Sequence, residues 1–297
     1  MLLGESEKEI DSRKLSLSDL IVQVLREHHM LCYFQGYHDI VQVVLLVLGE
    51  QLAPPAVARI SLLRIRDYML PSLTPSLRHL QIIPCLLESA DPELGRRLSR
   101  TQPFFALAAT LTLYAHDIQE YSDIARLYDF ILAHEPVVAI YMFTAIVMSR
   151  REELLEIPTE EPEMLHFTLS KLPQPLDLDS LISKTMQLFN AHPPYQLPHL
   201  IWWRISSQSV LKTSQNLKDK QSLKRGEALF VKQAAQLKRE ELQKIALKTL
   251  WRYRRPATSI TLTVLGGVMS IWLARNGFDR TLWPYLLKLK GAFRLER

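Results

Sequence analysis

Apolar residues recur at the spacing of helical turns along most of this 297-residue chain, and this pattern limits the possible folds more than any other feature. In residues 17–26 the apolar side chains occupy the positions of one helical face. Similar segments follow at 104–114, 124–133 and 137–148, and no run alternates with the period of two typical of a half-buried strand. Asp-Pro-Glu at 91–93 is a typical helix start. The sequence therefore predicts an all-α fold.

One predicted helix differs from the others because it is apolar on almost every side. Residues 40–52 carry few polar side chains, which is typical of a buried central helix. Short helices are expected at 163–171 and 179–190, between the prolines of this region. Residues 206–226 are polar and predict a mobile linker, and residues 228–250 return to helical spacing with a basic opposite face.

A second apolar run, near the end of the sequence, predicts a membrane span. Residues 257–274 are 18 residues without a charge. A helix of that length is roughly 27 Å long, at the lower edge of what crosses a bilayer. Trp251 and Trp272 lie near its ends, where interfacial anchors occur. The alternative is a long buried core helix, but little chain follows the run that could cover it.

Charge is unevenly distributed and limits the classes of partner. Residues 204–255 contain fourteen Lys/Arg and four Asp/Glu, about +10, in a chain whose net charge is +5. This segment lacks interleaved aromatic residues and any nucleic-acid reading module, so we expect an anionic membrane surface rather than nucleic acid. The two cysteines, Cys32 and Cys85, have no metal-ligand spacing and are too few for a disulfide framework, which indicates a reducing compartment and no metal. Residues 1–20 show no signal peptide.

Two short motifs suggest a function. Residues 33–39 read Tyr-Phe-Gln-Gly-Tyr-His-Asp, and residues 126–132 read Arg-Leu-Tyr-Asp-Phe-Ile-Leu. The first resembles the glutamine-finger motif (Tyr-x-Gln-Gly, then Asp) of the TBC-domain proteins, which accelerate GTP hydrolysis by Rab GTPases. The second resembles that family's Arg-x-Trp-Asp-x-x-Leu element, with Tyr in place of Trp. A C-terminal apolar run after a linker is similar to the ER-anchored branch of the family.

The resemblance implies specific roles in the first motif. Gln35 would be the catalytic residue, positioning the hydrolytic water in the partner's active site. Gly36 would allow close backbone approach, because it has no side chain. Tyr33, Tyr37 and Asp39 would support the loop, and Asp39 is also a plausible N-cap of the following helix on local grounds. GTP and Mg²⁺ would be carried by the Rab, so this chain needs no cofactor and acts as an activator rather than as the hydrolysing enzyme.

Other charged residues are expected to be structural. Arg126 and Asp129 lie three residues apart and are interpreted as a pair on one helix face that ties helices together. Arg64 and Asp67 have the same spacing and are interpreted as an ordinary intrahelical pair.

The family's second catalytic element, an arginine in an Ile-x-x-Asp-x-x-Arg helix upstream of the glutamine, is not identified. The arginines available before the motif are Arg13 and Arg26, and neither has the required spacing. We therefore expect an N-terminally truncated TBC protein. Two alternatives to activation stay open: a catalytically impaired form that still binds a Rab, and an ER membrane scaffold unrelated to GTPases.

The expected organisation has four parts. Residues 1–200 form a partial TBC domain, 201–255 a basic linker and amphipathic helix, 256–276 the transmembrane helix, and 277–297 a short tail. The resemblance implies a Rab of the ER-to-Golgi pathway as partner. It also implies attachment to the endoplasmic reticulum or early secretory membrane, with the TBC body in the cytosol.

Overall fold

The computed structural model describes residues 7–158, 160–215 and 221–275, and every regular element in these ranges is a helix. The prediction of an all-α fold is therefore confirmed. The chain divides into two compact units, Met1–Leu237 and Lys238–Arg297. The expected tail at 277–297 lies outside the described residues.

The α-helices are α1 (Glu7–Glu27), α2 (Tyr37–Leu63), α3 (Thr74–Leu80), α4 (Ile82–Ala90), α5 (Pro92–Leu98), α6 (Leu107–Leu111), α7 (Tyr121–Ala133), α8 (Val138–Ser149), α9 (Arg151–Glu156), α10 (Pro162–Leu169), α11 (Leu178–Ala191), α12 (Ile201–Arg204), α13 (Val210–Thr213) and α14 (Leu223–Arg275). Short 3₁₀ helices lie at Arg66–Met69, Pro103–Ala106, Pro194–Gln196 and Pro198–Leu200.

Helix α8 forms the centre of the first unit. Its residues from Val138 to Val147 are all buried, and it packs against α4, α6 and α11. A helix that is apolar on every side needs such an environment, because any exposed face would leave hydrocarbon in water. The start of α5 also follows the expected pattern, since the Asp91 carboxylate accepts a hydrogen bond from the Leu94 N–H at 3.1 Å.

Helix α2 departs from the expected buried helix. It is broken at Gly49, whose φ of 71° and ψ of 171° are not helical, and Pro54 and Pro55 fall in the first turns after the break. The buried side chains of the apolar run lie within residues 40–44, whereas residues 46–48 and Leu52 are exposed, Leu52 by 62%. Only half of the apolar run therefore belongs to the core.

Two other segments differ from the sequence-based expectation. The helix predicted at 104–114 ends at Leu111, and Leu113 and Tyr114 then adopt left-handed conformations with φ of 49° and 66°. The polar segment expected as a linker is partly packed: Val210 and Leu211 are buried, and the Ser214 hydroxyl donates to the Leu63 carbonyl at 2.6 Å. Residues 216–220 of that segment lie outside the described residues. The first unit thus extends past the boundary expected at residue 200.

The pair expected between Arg64 and Asp67 is wrong. Arg64 donates to the carbonyl oxygens of Ile131 and His134, which belong to α7 and its C-terminal end. Asp67 is fully buried in the 3₁₀ helix that follows α2, so both charges serve long-range contacts rather than each other.

The buried surroundings of Asp67 fasten the segment after α12 to the core. The Asp67 carboxylate accepts from the Val210 N–H at 3.1 Å and lies 3.0 Å from Nε2 of His79. Arg66, also fully buried, donates to the Leu62 carbonyl at 2.6 Å and to the Gln208 carbonyl at 2.5 Å. Buried charges are tolerated only with such partners.

Helix α14 contains the segment expected to span a membrane. Residues 263–272 are exposed and form an apolar stretch within it. By length and composition alone, α2 is the described helix that could cross a membrane, but it is broken at Gly49 and contributes buried residues to the core on both sides of the break. We therefore interpret α2 as part of the helical body, and the C-terminal span stays a prediction.

Candidate functional site

The Gln35 loop (residues 33–39) connects α1 to α2 through a turn at Gln35 and Gly36. Gly36 has a φ of 102°, a conformation that glycine adopts with little strain. A Cβ atom at this position would lie 2.6 Å from Cγ2 of Thr112, which is well inside contact distance. Both the backbone and the neighbouring side chain therefore require glycine here.

Aromatic side chains hold the Gln35 loop on the core. Tyr37 is fully buried, and its hydroxyl lies 2.8 Å from the Ser61 hydroxyl. Burial raises the pKa of Tyr37 to about 12, although the Ser61 hydrogen bond lowers it, so this phenol stays neutral. Phe34 packs against Tyr37 and Tyr68 at ring-centroid distances of 5.8 and 6.2 Å. The loop is thus anchored on both sides of Gln35.

Gln35 is exposed between these buried neighbours. Tyr33 is also exposed, by 51%, and its hydroxyl lies 3.0 Å from Nδ1 of His38. A primary amide presents one acceptor and two donors, so Gln35 can orient a water molecule or a polar group of a docked partner.

Asp39 does not cap α2, contrary to the expectation from local sequence. The residue at the cap position is Gly36, which has no side chain to accept a hydrogen bond. The Asp39 carboxylate instead lies 3.3 Å from Nε2 of His38 and 3.3 Å from Nδ1 of His116. It therefore joins the start of α2 to the segment after α6.

The 112–117 segment is a part of the site that the sequence did not reveal. Cγ2 of Thr112 occupies the space next to Gly36 where a Cβ atom would lie, and His116 contacts Asp39. Burial raises the pKa of the neighbouring Asp117, an effect that the charge of His116 opposes and that of Asp39 reinforces. No local motif marks these residues, because their contacts with the Gln35 loop span more than 70 positions.

The second motif lies close to the first. The Tyr128 hydroxyl donates to the Thr112 carbonyl at 3.3 Å, so α7 supports the residue that packs on Gly36. Arg126 lies 3.7 Å from Asp179 of α11 rather than pairing with the exposed Asp129. The predicted Arg126–Asp129 pair is thus replaced by a contact between two helices.

Other candidates for the site are limited. Arg13 and Arg26 are exposed on α1. Among the described residues, no group of three or more His, Cys, Asp or Glu side chains could hold a metal ion.

Comparison with known proteins assigns the family. The Rab-GTPase-TBC domain model matches residues 7–155. The chain is 33% identical to the GTPase-activating protein gyp10 of Schizosaccharomyces pombe over 76% of its own length and 61% of that protein. It is 34% identical to human TBC1 domain family member 20, over 65% of its own length and 48% of that protein.

A third relative is the GTPase-activating protein GYP8 of Saccharomyces cerevisiae, which is 31% identical over 36% of this chain and 26% of its own length. The chain belongs to the Rab-GTPase-TBC domain family. It spans about three fifths of gyp10 and about half of TBC1 domain family member 20.

Proposed function

We propose that this chain accelerates GTP hydrolysis by a Rab-family GTPase, with Gln35 orienting the attacking water. The observation that carries the proposal is the exposed Gln35 amide on a loop that Gly36 and Tyr37 fasten to the core. Family membership supports it, and so do the relatives gyp10 and GYP8, which are GTPase-activating proteins by name.

The proposed role of this chain in the reaction is to position the attacking water. The Gln35 carbonyl would accept a hydrogen bond from the water, while its amino group would donate to a neighbouring oxygen. Holding the water in line with the phosphoryl group lowers the entropic part of the barrier. The Rab would supply the nucleotide and Mg²⁺.

A Rab-binding form with little catalysis is the second candidate. Phosphoryl transfer by GTPases is accelerated about 10³–10⁵-fold when an arginine neutralises developing charge. Helix α1 offers Arg13 and Arg26, and neither follows an Ile-x-x-Asp-x-x-Arg pattern. A Rab-binding protein without such an arginine would bind the Rab but accelerate hydrolysis only weakly.

We also propose that the partner is a Rab of the ER-to-Golgi pathway and that the chain is anchored near its C-terminus. The resemblance to the ER-anchored branch supports the choice of Rab. The uncharged run at 257–274 and the exposure of residues 263–272 support the anchor. Resistance of the full chain to alkaline extraction from membranes, lost when residues 257–274 are deleted, tests the anchor.

Single-turnover GTP hydrolysis by an ER-to-Golgi Rab tests the main proposal. We expect the full chain to accelerate hydrolysis and Gln35→Ala to remove the acceleration, by about 10²-fold or more. Gln42→Ala is the matched control, because Gln42 is an exposed glutamine of α2 outside the Gln35 loop.

Three other outcomes are informative. Acceleration that survives Gln35→Ala would contradict the assigned role of Gln35. No acceleration, with binding that depends on the nucleotide state of the Rab, would favour the second candidate. Absence of binding in either nucleotide state, by a chain with an intact helical spectrum, would contradict both and favour a scaffold.

A further inference from the structure

A groove of about 930 Å³ lies away from the Gln35 loop, between α3, α4, α5 and α12 of the first unit. None of residues 33–39 lines it. Its volume is in the range of sites that hold a small ligand or a few residues of a peptide. The charges of the lining residues decide between these occupants.

The groove is basic. Three arginines line it, namely Arg78, Arg96 and Arg204. Glu88 is the one carboxylate in this lining, and Nε2 of His199 lies 2.8 Å from it. Within the described residues, Arg96 and Arg204 form no ion pair with a carboxylate. Two exposed guanidinium groups, one on α5 and one on α12, are thus available to an anionic partner.

Strained backbone forms one wall. His199 and Leu200 both adopt the left-handed conformation, with φ of 59° and 53°. Each such residue costs about 1–3 kcal/mol and persists only when its surroundings enforce it, a feature that is common at ligand sites. The contact of His199 with Glu88 is one such restraint. Leu200, which follows His199 in the chain, is 68% exposed and is not itself one of the residues that line the groove.

Covalent chemistry is not expected in the groove. Burial and, to a smaller extent, the Glu88 carboxylate raise the pKa of the Cys85 thiol to about 11, although the charge of Arg204 acts in the opposite direction. At neutral pH this cysteine is therefore a neutral thiol rather than a nucleophilic thiolate. The lining is suited to binding.

We propose that this groove docks an acidic peptide segment of a partner protein. Arg96 and Arg204 would bind its carboxylates, and Leu200 would contact an apolar residue beside them. Arginine is suited to this task because its planar donors match a carboxylate in a bidentate geometry. An open groove also accommodates an extended peptide segment better than it accommodates the surface of a globular protein. The proposal does not depend on GTPase activation.

Fluorescence anisotropy with a labelled Asp/Glu-rich peptide that carries one leucine tests the proposal. We expect the full chain to bind this probe at about 0.15 M salt. The double variant Arg96→Glu/Arg204→Glu should weaken binding at least about tenfold, because it replaces two attractive contacts by repulsive ones. Arg100→Glu is the matched control, since Arg100 is an exposed arginine close to Arg96 that does not line the groove. Its effect should stay within about twofold.

Several results would overturn the proposal. The first is absence of binding by the unchanged chain. The second is a loss of affinity for the probe in Arg100→Glu that equals the loss in the double variant. The third is full displacement of the probe by inorganic phosphate or anionic vesicles at low concentration. The last result would assign the groove to phosphate groups or lipid headgroups. GTP hydrolysis in the presence of a Rab, measured without the peptide, should be the same for the double variant and the unchanged chain, which separates this proposal from the Gln35 mechanism.

Discussion

Asp67 and Asp117 are carboxylates in two regions of the helical body, and their surroundings shift their pKa values in opposite directions. Burial alone would raise the pKa of Asp67, but the hydrogen bond and charge of His79, followed by the charge of Arg66, lower it overall. Burial also raises the pKa of Asp117, where the opposing effect of His116 is insufficient and Asp39 adds to the shift.

The two regions also differ in backbone strain. Around Asp67, a buried arginine and several main-chain groups are hydrogen bonded to one another. Next to the Gln35 loop, Leu113 and Tyr114 have positive φ, a conformation that residues with a side chain rarely adopt. A protein can retain strain and poorly compensated charge where binding or catalysis benefits, provided that other regions stabilise the fold. The difference supports the Gln35 loop as the functional region and the Asp67 region as its scaffold.

Removal of a buried charge should give the largest effect. Arg66→Met leaves the buried Leu62 and Gln208 carbonyl groups without their donor and removes a charge that lowers the pKa of Asp67, so we expect the free energy of unfolding to fall by about 3–5 kcal/mol. Arg126→Met is the control, because Arg126 is 52% exposed and its contact with Asp179 is long, and should change stability by less than about 0.5 kcal/mol. Urea denaturation of the full chain measures both, and equal losses would contradict the comparison.

Substitutions of Gly36, the N-cap of α2, and of Gly49, at the break within α2, separate the cost of backbone strain from the cost of crowding. Gly36→Ala and Gly49→Ala both introduce a side chain at positive φ, but only at Gly36 would the new Cβ meet another atom within 4 Å. Gly36→Ala should therefore cost about 1–3 kcal/mol more than Gly49→Ala. It should also reduce any stimulated GTP hydrolysis, because the turn that carries Gln35 must shift.

The contact with Thr112 can be tested by a second substitution. Thr112→Ser removes Cγ2, so in the Gly36→Ala background it should recover part of the lost free energy of unfolding. A double-mutant cycle measured by urea denaturation checks this coupling. Strict additivity of the two substitutions would show that Cγ2 of Thr112 does not crowd position 36.

The parts of the molecule that were predictable from sequence are those specified by neighbouring residues. Helical spacing identified α1, α7 and α8, the surrounding prolines identified α11, and the Asp91 cap was recognisable from the three residues at 91–93. The exposed position of Gln35 beside Gly36 was expected from the motif, and its role stays a prediction. Local patterns are sufficient where the stabilising contacts are themselves local.

The remaining features depend on contacts between distant residues. Residues 206–214 are polar enough to predict a linker, but Asp67 and Arg66 supply partners from more than 140 positions away. Thr112 and His116 contact the Gln35 loop only because the folded chain brings distant segments together. The second half of the run at 40–52 is exposed, because composition reports hydrophobicity and not which face is covered.

Acid should lower the stability of the fold through protonation of Asp67. The pKa of Asp67 is below its ordinary value of 3.8 in the folded chain, so its contribution to stability is complete above about pH 4 and is lost as the pH falls through the folded value. Asp67→Asn should lower the free energy of unfolding at neutral pH by about 1–3 kcal/mol and make the loss below pH 4 less steep. Urea midpoints of the unchanged chain and of Asp67→Asn, measured from neutral pH to below pH 4, check this difference in pH dependence. Parallel pH profiles of the two proteins would show that Asp67 does not contribute to the loss of stability in acid.

The smallest expected effect is a gain in stability, in contrast to the losses above, and it concerns Asp117 beside the Gln35 loop. The pKa of Asp117 is raised in the folded chain, so its carboxylate destabilises the fold as the pH rises above 3.8 and the proton is lost. Asp117→Asn should therefore increase the free energy of unfolding at neutral pH by less than about 1 kcal/mol, and the gain should disappear in acid. The exposed Asp129→Asn, measured in parallel, should show no such pH dependence. A loss of stability in Asp117→Asn at neutral pH would mean that this carboxylate is compensated as well as Asp67, and the contrast between the two regions would then rest on backbone strain alone.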